Sequence, residues 1–357
     1  MPPIRVLIVD DSALIRRLLA EVLAADGEIV VVGAVGTGHL ALAAIPQLKP
    51  DLITLDVEMP VMDGIATLVE IRKIDARLPV IMFSTLTGPG AAATVEALAR
   101  GASDYATKPS NTGSQEKSRE QVREELIPKI KALCGAREKR VIAPAPAIVL
   151  PVQHPATRID LVAIASSTGG PNALGELIPQ FPKDFPVPIV IVQHMPASFT
   201  KLLAARLNGL SQVQVQEGQA GQVLEKGQVW IAPGGFHMTV SRQGLKSVLG
   251  VNQEPPENSC RPAADVLFRS VANAFKENVL AVVLTGMGSD GALGSGAIRR
   301  AGGAVIVQDE ASSVVWGMPG SVVAAKLADR ICPLHAVVPE ILRRVSFRRG
   351  MADAAHS

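Results

Sequence analysis

The amino-acid sequence predicts two α/β domains, each built around a parallel β-sheet, with a proline-rich linker between them. The length of 357 residues suits two domains of roughly 100 to 200 residues each. Short, β-branched apolar runs alternate with amphipathic segments along most of the chain, a pattern typical of strands that helices cover on both faces. The segment AREKRVIAPAPAIVLPVQHPATR interrupts this alternation with closely spaced prolines.

This interruption sets the predicted domain boundaries. Residues 1–135 are expected to form the first domain, with five parallel strands, and residues 158–350 the second, a doubly wound domain. Residues 136–157 form the predicted linker, because proline at this density sustains neither a helix nor a central strand. The more β-like segments QVQVQEG, GQVWIAPGG and HMTVSR predict a small β-hairpin insertion in the second domain.

The composition limits the classes of function. A net charge of +2 and only eleven aromatic residues, Phe 8, Trp 2 and Tyr 1, argue against nucleic-acid binding, which needs basic surface and stacking platforms. No run of about 18 uncharged apolar residues predicts insertion into a membrane. The three cysteines have no CxxC spacing; we expect ordinary core or surface thiols in a cytoplasmic protein.

Charged and hydroxyl side chains follow four predicted strands of the first domain. Asp10 and Asp11 end the first strand, Asp56 the third, Ser84 the fourth and Lys108 the fifth. Side chains at the carboxyl ends of parallel strands converge on one crevice. Three carboxylates there would repel one another without a cation, and oxygen-only ligands suit Mg²⁺. A lysine and a hydroxyl nearby could hold the oxygens of a phosphoryl group.

The motifs VLIVDDS, DLITLDVEMPVMDG, VIMFS and DYATKP resemble those of response-regulator receivers, over residues 4–132. The resemblance implies a flavodoxin-like fold in which Asp56 accepts a phosphoryl group. It also implies that Asp10, Asp11 and Asp56 hold Mg²⁺ and that Ser84 and Lys108 contact the phosphoryl oxygens. Tyr105 falls where receivers often carry a switch aromatic, although an ordinary half-buried strand residue is an equal alternative.

The segment DLVAIASSTGGPNAL of the second domain predicts a strand, a tight glycine turn and a helix. Such a turn exposes a side chain beside a helix N-terminus, whose N–H groups can stabilise an oxyanion. Turn chemistry leaves both Ser166 and Ser167 as candidate nucleophiles, with Ser167 one step further out of the strand. The segment has neither GxGxxG nor GxxxxGK[ST], which argues against a nucleotide site.

A serine nucleophile needs a base and an orienting acid. His194 directly follows the apolar run VPIVIVQ and is the best candidate base. His237 could line the pocket, and His335 begins the last predicted helix. Asp290 follows a third apolar strand in a glycine-rich turn, where it is either the orienting acid or a helix N-cap. Together these strand ends predict a Ser-His-Asp hydrolase.

Several blocks of residues 158–345 resemble the catalytic domain of chemotaxis protein-glutamate methylesterases: ASSTGGPNAL, VIVQHMPASFTKLLAARLN, VWIAPGGFHM, RPAADVLFRS, VVLTGMGSDGA and VIVQDEASSVVWGMPGSV. The resemblance implies that Ser167 is the nucleophile, with His194 and Asp290 completing the triad. Met287 falls at the position whose backbone N–H helps to bind the oxyanion.

The same resemblance implies a phosphorylation-activated enzyme of chemotaxis adaptation, which demethylates chemoreceptors and could also deamidate receptor glutamines. A histidine autokinase would be its phosphodonor, an unphosphorylated receiver would pack over the catalytic face, and ester hydrolysis would need no metal. Two alternatives stay open. A receiver with a transcriptional output would need a basic recognition helix, and none is visible in the sequence. A sister esterase could act on a non-chemotactic receptor or another acyl substrate.

Overall fold

A computed structural model describes residues 2–85, 88–109, 114–139 and 158–354. The chain divides into two compact units, residues 1–142 and 143–357. The predicted linker starts inside the last helix of the first unit, which continues to Lys139, and residues 140–157 lie outside the described residues; the exact boundaries stay a prediction. Within the described ranges, no helix combines the length and hydrophobicity needed to cross a bilayer.

The first unit contains one parallel sheet of five strands, in the order β2-β1-β3-β4-β5, which confirms the predicted fold. Its strands are β1 (Ile4–Val9), β2 (Ile29–Val35), β3 (Leu52–Asp56), β4 (Val80–Ser84) and β5 (Asp104–Thr107). Its helices are α1 (Ala13–Ala24), α2 (Gly38–Leu48), α3 (Gly64–Ile74), α4 (Gly88–Ala99) and α5 (Gln115–Lys139). Every residue of β3, β4 and β5 is buried, as expected of strands covered on both faces.

The second unit is built on a parallel sheet of seven strands, in the order β14-β13-β12-β6-β7-β9-β8. Its strands are β6 (Leu161–Ser166), β7 (Ile189–Gln193), β8 (Gln214–Glu217), β9 (Gln228–Ile231), β12 (Val279–Val283), β13 (Ala304–Gln308) and β14 (Arg330–Cys332), with the pair β10 (His237–Gln243) and β11 (Lys246–Asn252) between β9 and β12. Its helices are α6 (Gly170–Leu177), α7 (Ala197–Leu210), α8 (Ala264–Phe275), α9 (Ala292–Arg300), α10 (Met318–Ala324) and α11 (Leu334–Ala354).

The predicted hairpin insertion is present as β10 and β11, an antiparallel pair that forms its own two-stranded sheet. The two β-like segments that precede it behave differently. They are β8 and β9, which pair in parallel with each other and extend the main sheet beyond β7. In sequence the two short segments resemble the strands of a hairpin, but ten residues separate them, more than the roughly two to five of a hairpin loop.

The central strand β6 fixes the position of the candidate site. The chain leaves β6 for β7 on one side and later returns to β12 on its other side. The carboxyl end of β6 is therefore a topological switch point, where a crevice opens in doubly wound sheets. The residues of β6, β7 and β12 are all buried, and α8 packs against them with Leu267 and Phe268 in the same hydrophobic core.

The burial of α8 generates a stability prediction. Leu267→Ala removes a fully buried side chain and is expected to lower the free energy of unfolding by about 2 to 5 kcal/mol, through lost transfer energy and a cavity. Leu245→Ala is the matched control, because Leu245 is fully exposed in the turn between β10 and β11; it should cost less than about 0.5 kcal/mol.

Urea titration followed by tryptophan fluorescence measures this effect in the full chain. Trp230 and Trp316 are its only tryptophans and both belong to the second unit, so the signal reports that unit selectively. Equal midpoints for the two variants would contradict the assigned core.

Candidate functional site

Two aspartates lie side by side at the carboxyl edge of the first sheet. Asp10 follows β1, Asp56 is the last residue of β3, and these strands are neighbours. Each carboxylate is buried and accepts a backbone N–H through Oδ1, from Ser12 at 2.9 Å and from Glu58 at 3.2 Å respectively. The Oδ2 atoms of both aspartates are therefore left to face a third group.

That third group is Lys108, which follows β5. Its Nζ lies 2.9 Å from Asp10 Oδ2 and 2.7 Å from Asp56 Oδ2. Burial raises the pKa of Asp56 to about 6 and also raises the pKa of Asp10, because one ammonium is shared between two desolvated carboxylates. Burial alone would lower the pKa of Lys108, but its two carboxylate partners outweigh burial and raise it. The single positive charge of Lys108 therefore does not balance the negative charges of two ionised aspartates.

Asp11 adds a third carboxylate. Oxygen atoms of Asp10, Asp11 and Asp56 lie within 4.8 Å of one another. Among the described residues, the buried Oδ2 atoms of Asp10 and Asp56 accept no well-aligned hydrogen bond, and both lie beside the lysine ammonium. An all-oxygen donor set with surplus negative charge and one exposed member fits Mg²⁺, which retains several waters.

The two other predicted switch residues lie on the neighbouring strands. Ser84 ends β4, and its Oγ donates towards the carbonyl oxygens of Thr85 and Gly90, at 3.2 and 3.1 Å, rather than to an aspartate. Lys108 N–H donates to Ser84 O at 2.7 Å, which ties the lysine to this strand end. Tyr105 is buried in β5 beneath Lys129, whose Nζ lies 4.6 Å from the ring centroid. Their switch roles stay predictions.

In the second unit the predicted strand, turn and helix are present at residues 161–177. Ser166 is the last residue of β6 and Ser167 the first residue beyond it. The turn depends on Gly169, whose φ of +77° favours glycine and whose missing Cβ would collide with Val314, 2.6 Å away. Gly170 begins α6 and its N–H donates to Ser167 O at 2.8 Å. The serine is thereby held at a sharp corner.

The structure separates the two adjacent serines. Ser166 is fully buried, and its Oγ donates to Gln193 Oε1 at 2.7 Å. Ser167 is partly exposed, and its carbonyl oxygen accepts from Gln193 Nε2 at 3.0 Å. Within the described part of the chain, Ser167 Oγ makes no hydrogen bond. The accessible hydroxyl is therefore that of Ser167.

The segment after β12 packs directly against Ser167. Ser167 N–H donates to Thr285 O at 3.1 Å, and a Cβ placed on Gly286 would lie 2.9 Å from Ser167 Cβ. Glycine is required at this position because any side chain would press on the serine. Met287 follows directly and is partly exposed, and no acceptor for its N–H occurs among the described residues. This N–H is accordingly free to donate, one residue from the glycine that packs on the serine.

His194 follows β7 and pairs with Asp290. Its backbone N–H donates to Ser166 O at 3.1 Å, which holds it at the same end of the sheet. Its Nε2 lies 2.7 Å from Asp290 Oδ2. An ionised carboxylate can only accept, so Nε2 carries the proton of this bond and Nδ1 is left as the basic nitrogen.

The pKa of His194 is raised to about 9. Burial on its own would lower the pKa, but the hydrogen bond to Asp290 and the contact with Cys260 more than offset it. Burial acts in the opposite sense on Asp290, and there the hydrogen bonds from His194 and from backbone N–H groups prevail, so the pKa of Asp290 is lowered. Both pKa shifts favour the charged forms of the pair, an imidazolium and a carboxylate.

The Asp290 carboxylate is saturated with hydrogen bonds. Oδ2 accepts from Ala264 N–H at 2.6 Å in addition to His194, and Oδ1 accepts from Asp265 N–H and Gly291 N–H, both at 3.0 Å. Ala264 and Asp265 form the first turn of α8, so the carboxylate caps that helix and lies at the positive end of its dipole. Asp290 therefore has both predicted roles, because it orients His194 and also caps a helix. The helix that it caps is α8, not α9, which follows it in the chain.

Two residues that the sequence analysis did not single out belong to this site. Asn258 Nδ2 donates to Asp290 Oδ1 at 2.9 Å and to Asp265 Oδ2 at 3.0 Å. Cys260 Sγ lies 3.6 Å from His194 Nδ1, so this free thiol adjoins the site. In the sequence, NSC directly precedes the RPAADVLF block, which is a weak indication that these residues belong to the site. Only the fold shows that this turn lies against the histidine.

The remaining candidate histidines have other surroundings. His237 is buried, its Nε2 lies 3.0 Å from Pro255 O, and its Nδ1 accepts from Ala263 N–H at 3.2 Å. Both ring nitrogens of His237 are therefore engaged in structure. His335 is exposed in the first turn of α11.

The arrangement supplies an accessible hydroxyl, a base oriented by a carboxylate, and, in the residue after the Gly286 that packs on the serine, a backbone N–H without an acceptor in the described ranges. No hydrogen bond joins Ser167 Oγ to His194 in the described residues, and catalytic hydrogen bonds are often absent without substrate. The geometry suits nucleophilic acyl transfer, in which serine attacks a carbonyl carbon.

Comparisons with known proteins identify a methylesterase domain and a receiver domain in this chain. The family model described as CheB methylesterase matches residues 162–341, and that of the response regulator receiver domain matches residues 6–117. A protein of Trichodesmium erythraeum named protein-glutamate methylesterase/protein-glutamine glutaminase is 51% identical over 351 residues, covering 97% of this chain and 100% of the relative. A protein of the same name from a Nocardioides species is 49% identical over 357 residues, covering 98% and 97%.

A solved structure supports the fold of the second unit. The crystal structure of the Thermotoga maritima CheB methylesterase catalytic domain is 41% identical in sequence and matches with a TM-score of 0.51, covering 52% of this chain and 99% of that one. With a methylesterase model over half of the residues and full-length relatives near 50% identity, the chain belongs to the CheB methylesterase family and carries a response regulator receiver domain ahead of its methylesterase domain.

Proposed function

We propose that this chain hydrolyses glutamyl methyl esters on methyl-accepting chemoreceptors, releases methanol, and is activated by phosphorylation of its receiver. The observation that carries the proposal is the His194–Asp290 pair at the switch point of the second sheet, beside the accessible Ser167. Relatives at 51% and 49% identity are named protein-glutamate methylesterase/protein-glutamine glutaminase, which supports this choice of substrate.

The first half-reaction forms an acyl-enzyme. Ser167 Oγ attacks the ester carbonyl while His194 Nδ1 takes its proton, since Nε2 is committed to Asp290. Asp290 holds the ring and stabilises the imidazolium that forms. The Met287 N–H, one residue from the glycine that packs on Ser167, donates to the developing oxyanion. Methanol leaves with the proton that His194 returns to it.

The second half-reaction regenerates the enzyme. A water molecule replaces methanol, His194 Nδ1 takes its proton, and the resulting hydroxide attacks the acyl carbon. The tetrahedral intermediate collapses to free glutamate, and the proton returns to Ser167 Oγ. A receptor glutamine would pass through the same acyl-enzyme with ammonia as the leaving group, so one site serves esterase and deamidase activity. Both half-reactions thus use Ser167 as the covalent nucleophile and His194 as the proton carrier, with Asp290 orienting the histidine.

The receiver supplies the switch. Asp56 is the proposed phosphoryl acceptor, and a histidine autokinase is the proposed donor. Asp10, Asp11 and Asp56 would hold Mg²⁺, which neutralises charge on a phosphoryl group during transfer. Lys108, within 2.7 Å of Asp56, would contact a phosphoryl oxygen. We place this chemistry in the cytoplasm, where the reducing environment suits three cysteines without disulfides.

Loss of the nucleophile gives the first functional prediction. Ser167→Ala is expected to lower methanol release from methylated receptor membranes by about 10³-fold or more, because the acyl-enzyme cannot form. Ser166→Ala is the matched control: its buried hydroxyl binds Gln193, so most of the activity should remain. Both variants are assayed as full chains, with and without a phosphodonor, and the wild type should be faster with it.

The outcomes separate the alternatives. An unchanged rate in Ser167→Ala would overturn the mechanism. Ser167-dependent hydrolysis of a small acyl ester without methanol release from receptors would instead indicate a sister esterase with another substrate.

The raised pKa of His194 gives a pH prediction. A general base must be neutral, so kcat/KM for methanol release should rise with pH and level off near a pKa of about 9. Asp290→Asn removes the largest influence that raises this pKa, so the midpoint of the variant's residual activity should move to lower pH. Rates are measured from about pH 6 to about pH 10, with hydroxide hydrolysis subtracted. A wild-type profile that is flat over this range would contradict the assignment of His194.

The carboxylate cluster gives a metal prediction. Phosphoryl incorporation from acetyl phosphate should require Mg²⁺, should stop when the metal is chelated, and should be absent in Asp56→Asn. Asp51→Asn is the matched control, because Asp51 precedes the opposite end of the same strand and binds the Arg5 N–H. Intact-mass measurement of the full chain detects the added group. Incorporation that survives in Asp56→Asn would exclude this acceptor.

A further inference from the structure

One nucleophilic group near the base has no part in the proposed mechanism. Cys260 Sγ lies 3.6 Å from His194 Nδ1, the ring nitrogen that does not bind Asp290. An imidazole nitrogen beside a thiol can take the thiol proton when the sulfur attacks an electrophile, as in enzymes that pair cysteine with histidine.

The thiol is held there by a tight turn. Glu257 and Cys260 exchange backbone hydrogen bonds at 3.1 and 2.9 Å, and the two residues between them, Asn258 and Ser259, have φ values of +53° and +60°. Two left-handed central residues define the compact primed type of turn. The Cys260 side chain therefore projects from a defined geometry.

Side chains anchor the same turn to the active site. Asn258 donates to the carboxylates of Asp290 and Asp265, and Glu257 makes a two-pronged ion pair with Arg269 of α8 at 2.6 and 2.5 Å. The turn therefore holds Cys260 beside the His194 ring, because it is bound to Asp290, the same residue that orients that ring.

Access distinguishes Cys260 from the other two thiols. Cys134 and Cys332 are buried, and burial raises the pKa of Cys332 to about 11, which keeps it protonated and unreactive. Cys260 is partly exposed, so a small oxidant can reach it.

We propose that Cys260 is a peroxide-sensitive modification site whose oxidation to sulfenic acid reversibly switches off the esterase. The thiolate sulfur attacks one oxygen of hydrogen peroxide, an S–O bond forms and the O–O bond breaks. Sulfur is oxidised by two electrons and peroxide is reduced to hydroxide, which takes a proton to become water. A dithiol reverses the step, giving thiol, disulfide of the reductant and water.

The new oxygen is expected to inhibit the esterase by blocking the base. It extends the side chain by one atom towards His194 Nδ1, 3.6 Å away, and an S–OH group can donate a hydrogen bond to that nitrogen. The position from which Nδ1 would take the serine proton is then occupied. This inhibitory effect rests on the proposed esterase function, whereas the oxidation of the thiol does not.

The test exposes the full chain to hydrogen peroxide, removes the oxidant with catalase, and divides the sample. One part is labelled with dimedone, which traps sulfenic acid, and mapped by peptide mass spectrometry. The other part is assayed for methanol release before and after dithiothreitol. We expect label on Cys260 but not on the buried Cys134 or Cys332, and at least a 10-fold loss of rate that dithiothreitol restores.

Cys260→Ala and Cys260→Ser serve as paired variants, each compared with its own untreated rate. Both should keep that rate after peroxide. An equal loss in these variants, or a loss that dithiothreitol does not restore, would point to another oxidised residue and overturn the proposal, as would absence of label on Cys260. If the untreated wild type released no methanol, the proposed function would fail, while the dimedone map would still decide whether Cys260 is the reactive thiol.

Discussion

The carboxylate of Asp290 holds the candidate active site together. It is buried, and it accepts hydrogen bonds from the ring of His194, from two N–H groups of the first turn of α8, from Gly291 N–H and from the amide of Asn258. Each donor belongs to a different segment or to the start of a helix. A buried carboxylate remains ionised only when its oxygens are satisfied in this way, so the strand end after β12, helix α8 and the turn at Asn258 are all required for one oriented imidazole.

This constraint determines which nitrogen of His194 does the chemistry. Because Asp290 binds Nε2, proton transfer falls to Nδ1, the reverse of the arrangement in trypsin-like triads. The turn that satisfies Asp290 through Asn258 also carries Cys260 to within 3.6 Å of Nδ1. Orientation of the base and placement of a thiol beside it are therefore consequences of the same turn, and the second cannot be altered freely without disturbing the first.

The sequence predicted what depends on strand ends and could not predict what depends on turns. Buried parallel strands are long apolar runs, so the residues that follow them, such as Asp56, Ser167 and His194, could be located by counting. Counting alone left Ser166 and Ser167 both open, and only the family resemblance favoured Ser167; the hydrogen bond from Ser166 to Gln193 adds the physical reason. Asn258 and Cys260 lie in a turn with two left-handed residues, and no apolar period indicates where such a turn points. The parallel pairing of β8 and β9 was missed for a similar reason, since strands of four residues carry little directional signal.

The contact with Cys260 also bears on how strong a base His194 can be. With a pKa of about 9, only about one molecule in 100 holds a neutral imidazole at pH 7, which limits the reaction although each neutral ring is a strong base. Part of that pKa comes from Cys260 on Nδ1. Asp290 therefore sets the orientation of the base and, together with the Cys260 contact, the small fraction of molecules in which that base is free to take a proton at neutral pH.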